Sequence, residues 1–89
     1  MITTTITIIN KLGLHARAAA KFVATASKYL SEIQVKKDNQ SVNGKSIMGV
    51  MMLAASKGTE LELVIDGEDE VEMNEAIVNL INNRFGEEE

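Results

Sequence analysis

Residues 2–26 read ITTTITIINKLGLHARAAAKFVATA, and the spacing of the apolar positions changes partway through them. Ile2, Thr4, Ile6 and Ile8 alternate with Thr3, Thr5 and Thr7, a β-branched period of two that predicts a strand with one wet face. Asn10-Lys11-Leu12-Gly13 then reads as a turn. From Ala16 the period becomes helical: Ala19, Phe22, Val23, Ala26 and Leu30 share one side, while Lys21 and Lys28 point elsewhere. The first helix is therefore expected to begin immediately after His15.

Downstream, Ile33 and Val35 alternate with Glu32, Gln34 and Lys36, which predicts a second strand. Asp38-Asn39 turns the chain into a short third strand at 40–42. Asn43-Gly44 has the composition of a hairpin turn. Against it, Ser46 precedes Ile47, Val50, Met51 and Ala54 at helical spacing, so a short second helix capped by Ser46 is preferred. Lys57-Gly58 closes that region, and Leu61, Leu63 and Ile65 alternate into a fourth strand. Asp69 is expected to cap the last helix with Glu72 as its reciprocal partner. Met73, Ile77, Leu80, Ile81 and Phe85 supply that helix's apolar side, and Gly86 stands where helices often end. The order β-α-β-β-α-β-α predicts an α+β fold, with a four-stranded antiparallel sheet and three helices on one face.

Composition narrows the function. An 89-residue chain, 45% apolar, is one small domain with a packed core and little room for a deep cleft. With two Phe, one Tyr and no Trp, that core must be aliphatic. A net charge of −4 and few aromatics argue against nucleic-acid binding. No Cys is present, so disulfides and thiolate metal sites are excluded, and a lone His offers no metal site. The longest apolar run, 47–55, falls far short of the roughly 20 residues that span a bilayer, and residues 1–10 lack the pattern of a signal peptide. The expectation is a soluble cytoplasmic protein that does not insert into a membrane. Glu87, Glu88 and Glu89 read as a solvated acidic tail.

His15 carries the chemistry. The first N–H groups of a helix lack intrahelical partners and favour an anion placed just before them. A phosphoryl group on the ring would sit among the amides of Ala16, Arg17 and Ala18, and Arg17 adds a charge-assisted contact. A neutral ring with a free lone pair is the nucleophilic form, and the positive helix end favours it. Ser46 is first of all a helix cap. A phosphate on it would also gain from the helix end and would set about −2 of charge on the surface. Ile47, Met48 and Met51 are expected to leave a soft apolar patch near His15, rimmed by Lys21, Lys28 and Lys45.

Residues 10–23, NKLGLHARAAAKFV, resemble the active-site segment of the HPr family. These are the histidine-containing phosphocarriers of the bacterial phosphoenolpyruvate-dependent phosphotransferase system. Residues 42–54, VNGKSIMGVMMLA, resemble that family's regulatory serine segment. The resemblance runs over nearly the whole chain, 1–89, as a single domain. It implies an open-faced β-sandwich, phosphorylation of His15 at the ring nitrogen nearer the backbone, and Arg17 steadying the phosphate. It further implies phosphorylated Enzyme I as donor, IIA domains as acceptors, and a serine kinase acting on Ser46. The same likeness implies no metal or organic cofactor. The partner surface is expected to include Ala20, Lys21, Lys45, Ile47, Met48 and Met51, and a monomer is the default expectation. Many family members have proline after the arginine; Ala18 stands there in this chain. Alanine, the best helix former, still permits the helix with a looser start. A regulatory module whose binding depends on the phosphorylation state of His15 or Ser46, with little sugar flux, remains the alternative.

Overall fold

The computed structural model describes residues 1–88. Strands β1 (Ile2–Thr7), β2 (Glu32–Lys37), β3 (Gln40–Asn43) and β4 (Glu60–Asp66) form one sheet in the order β1-β4-β2-β3. Every neighbouring pair is antiparallel. Helices α1 (Ala16–Ala26), α2 (Ile47–Met52) and α3 (Glu70–Asn82) cover one face. The expected α+β open-faced sandwich is the observed one.

The register explains why one face is dry. Thr4 pairs with Leu63, Leu63 with Val35, and Val35 with Val42, so a single row of side chains crosses the sheet on the helix side. Ile6, Ile33, Val35, Leu61, Leu63 and Ile65 are buried there, while Thr3, Thr5, Thr7, Gln34 and Lys36 are exposed on the other side. Thr4 faces the helices and is half-buried, and its hydroxyl donates to Asn74 Oδ1 of α3 at 2.8 Å. From above, Ala18, Ala19, Phe22 and Ala26 of α1 and Met73, Ile77 and Ile81 of α3 complete the core. Gly44 lies in a tight turn closed by Ser46 N to Asn43 O at 3.0 Å, which leads into α2 and not into a hairpin partner strand. A Cβ on it would lie 2.7 Å from a methyl of Ile33 and 3.2 Å from the Phe22 ring, so glycine is needed for this close approach. Ser46 caps α2 as expected, its hydroxyl accepting from Gly49 N at 3.1 Å.

Four local expectations are corrected. Leu30 is not on the apolar side of α1: the helix ends at Ala26 and Leu30 is 85% exposed. The reason is Asp69, whose carboxylate accepts from the N–H groups of Leu30 (2.8 Å) and Ser31 (2.9 Å) and from the Ser31 hydroxyl, turning the chain into β2. Consequently Asp69 makes no side-chain cap for α3; Glu70 reaches back instead, accepting from Gly67 N at 3.2 Å. Ala54 is exposed with φ +50, and Ala55 takes the core position. Finally, α3 stops at Asn82, and Arg84, Phe85 and Gly86 follow in a left-handed turn with φ of +54, +55 and +79.

The Asp69 contacts hold its carboxyl below the usual range, chiefly through the Ser31 hydroxyl and then the Leu30 amide. A lowered folded-state pKa means the contribution is present above the unfolded value, about 3.9, and is lost as pH falls through the folded one. Asp69→Asn should therefore lower the melting temperature by several degrees at pH 7. In thermal melts the gap between variant and parent should narrow towards the most acidic pH at which both remain folded.

Candidate functional site

His15 stands at the N-cap of α1 with extended backbone (φ −73°, ψ 178°), and its carbonyl accepts the first intrahelical bond, from Ala19 N at 2.8 Å. The amides of Ala16, Arg17 and Ala18 precede that bond and have no intrahelical carbonyl. The histidine side chain is 28% exposed, open to solvent yet held in place.

The preceding turn fixes this position. Asn10 is buried, and its Nδ2 donates to Gly13 O at 2.9 Å, closing the turn. Gly13 has φ +68, and a Cβ there would lie 2.3 Å from Ala55 O. Leu14 N donates to that same carbonyl at 2.8 Å, and the Leu14 side chain is buried. The chain therefore enters α1 against the segment that follows α2, and the imidazole emerges at the surface.

Arg17 is exposed and pairs with no other described residue, so its guanidinium is available. Ala18 is buried in the core, and the helix forms from Ala16 without proline. Ala20 and Lys21 are exposed on α1. Lys21 Nζ donates to Phe85 O at 2.6 Å, and half-buried Lys45 donates through Nζ to Tyr29 O at 2.7 Å. Both lysines thus tie backbone segments together besides carrying charge. On α2, which packs against α1, Ile47 is 45%, Met48 73% and Met51 41% exposed, with Met52 at 69% beside them. Among the described residues no group of three His, Asp or Glu converges as a metal site, and no helix is long and apolar enough to cross a membrane.

Glu87 corrects the expectation of a solvated tail; Glu89 lies outside the described residues. Glu87 Oε2 lies 2.5 Å from His15 Nε2, and its Oε1 accepts from Asn10 Nδ2 at 3.0 Å. These contacts hold the Glu87 carboxyl below the ordinary range, first through Asn10 and then through His15, with Lys21 adding a smaller charge effect. Together with Lys11, Leu12, His15, Ala16, Arg17, Lys21, Gly86 and Glu88 it lines one shallow groove. Asn10 and Glu87 are the site residues that sequence reading missed. Their 77-residue separation leaves no local signal, although an asparagine closing a turn was visible. A partly exposed imidazole beside helix amides and an arginine that have no partner among the described residues can take an anion onto the ring.

Comparison with known proteins gives the class. The family model for the phosphorylation site of the phosphotransferase-system HPr component matches residues 2–83. The phosphocarrier protein HPr of Neisseria meningitidis is 60% identical over 89 residues, covering all of both chains. That of Pseudomonas aeruginosa is 62% identical over 85 residues, 94% of each. The crystal structure of HPr-C-His from Thermoanaerobacter tengcongensis superposes with a TM-score of 0.96 at 55% identity, covering all of both chains. Fold and relatives alike define a phosphocarrier of the phosphotransferase system. The chain belongs to the HPr family.

Gly13→Ala should cost roughly 1–3 kcal/mol, because the residue added is strained at positive φ and meets a backbone carbonyl. Urea unfolding should show a lower midpoint with an unchanged slope.

Proposed function

We propose that this chain takes a phosphoryl group onto His15 from phosphorylated Enzyme I and hands it to IIA domains of sugar permeases or of their regulatory relatives. It does so as a monomer in the cytoplasm, with no metal or organic cofactor. The observation that carries this reading is the position of His15, the only histidine, at the start of α1 in a chain of the HPr family. Nδ1 attacks the phosphorus, the amides of 16–18 and the Arg17 guanidinium receive the oxygens, and the modest field of a helix end keeps the bond reversible.

The exposed Ile47, Met48 and Met51, with Ala20, Lys21 and Lys45, form the partner surface. Flexible methionine suits successive partners on one face. A serine kinase acting on Ser46 would add about −2 of charge at the start of α2 and weaken docking by repulsion and desolvation. That surface also suits the regulatory reading, in which the phosphorylation state of His15 or Ser46 controls partner binding with little sugar flux.

Incubation with Enzyme I and phosphoenolpyruvate should add one acid-labile phosphate per chain. His15→Ala should abolish the labelling, and Arg17→Ala should slow it by about tenfold. Labelling of His15→Ala at the parent level would rule the reading out. Ser46→Asp should retain the fold yet take up phosphate from Enzyme I roughly tenfold more slowly or worse, measured by initial rates.

A further inference from the structure

The contact between His15 and Glu87 does more than tie down the end of the chain. A carboxylate accepts only from a nitrogen that carries hydrogen, so the 2.5 Å contact places a proton on His15 Nε2. Among the described residues no hydrogen bond falls on Nδ1. The carboxylate is itself held: Glu87 is only 14% exposed, and Asn10, wholly buried, donates to its other oxygen at 3.0 Å and to Gly13 O at 2.9 Å. One asparagine therefore couples the carboxylate to the turn that carries the histidine. The backbone that delivers Glu87 is constrained as well, by the left-handed turn at 84–86, the buried Phe85 ring and the Lys21 hydrogen bond to Phe85 O.

We propose that Glu87 is a positioning residue for His15: it holds the Nε2–H tautomer, orients the ring and balances the positive charge the ring acquires on phosphorylation. The inference rests on the reading of His15 as the phosphoryl acceptor. Without a partner at Nε2, a neutral imidazole divides between two tautomers, and the form protonated at Nδ1 has no lone pair there to react. With Glu87 in place, the Nδ1 lone pair forms the new N–P bond. The P–N bond of the donor's phosphohistidine breaks, and its electron pair returns to the donor's ring. Nε2 keeps its proton throughout, and the ring becomes cationic facing the carboxylate. Delivery to an acceptor reverses each change. No proton has to be found or discarded, so loading and unloading need no separate acid or base.

The test uses the full-length protein labelled with 15N, comparing the parent with Glu87→Ala and Glu87→Gln. Long-range 1H–15N correlation of unphosphorylated His15 reads the tautomer, and initial rates with Enzyme I and phosphoenolpyruvate read the transfer. The amide spectrum of each variant establishes that it is folded. The parent should be protonated at Nε2 alone. Glu87→Gln should keep that tautomer, because its amide oxygen still accepts, and should transfer at an intermediate rate. Glu87→Ala should show a mixture of tautomers and roughly tenfold slower uptake at saturating donor, with KM for the donor little changed. Parental tautomer and rate in Glu87→Ala would overturn the proposal. So would faster uptake, which would mean that Glu87 obstructs the ring. If the parent itself takes up no phosphate, the acceptor reading fails while the tautomer measurement still decides what Glu87 does.

Discussion

The β1–α1 connection passes against the Ala55 carbonyl, and the imidazole stands at the start of α1 because Gly13 permits that contact. The same carbonyl accepts from Leu14 N, so the last residue before His15 is pinned to the segment after α2. Leu14, Ala18, Ala19 and Phe22 are buried in sequence behind it and fix the axis of α1. With axis and starting residue both set, the amides of residues 16–18 have one direction in which to point. A looser connection would leave the histidine on a surface loop, where neither the helix field nor the amides act in concert.

A second constraint meets the first from the other end of the chain. Arg84 and Phe85 adopt left-handed backbone at about 1–2 kcal/mol each, and burial of the Phe85 ring offsets about 1.5–3 kcal/mol of that. The turn brings Glu87 onto the ring edge opposite Nδ1. In the proposed carrier the carboxylate faces the positive charge that a phosphorylated ring would acquire, while the amides of 16–18 would receive the phosphate oxygens.

How much of this was legible depended on how far each contact reaches along the chain. The alternation in β1 and the shift to helical spacing after His15 depend on neighbours a few residues apart, and so the strands, α1 and the Ser46 cap could be read directly. Asp69 looked like a cap for the helix that follows it. Its carboxylate went instead to Leu30 and Ser31, 39 and 38 residues away, where two unpaired amides and a hydroxyl offered more than one helix end. Leu30 left the helical side for the same reason. Glu87 looked solvated because three acids in a row normally are; only the fold brings Asn10 and His15 to it. The histidine, the arginine and the serine could be named from local pattern and family likeness, whereas the carboxylate partner could not.

The amides at the start of α1 stand where phosphate bound to His15 would meet them. The most direct measurement is the amide spectrum of the 15N-labelled protein before and after phosphorylation by Enzyme I, with the modified nitrogen identified in the same sample. Phosphate on His15 Nδ1, together with the largest amide shifts at residues 16, 17 and 18, is the predicted result. Phosphate on another residue, or on His15 with those three amides unmoved, would contradict it.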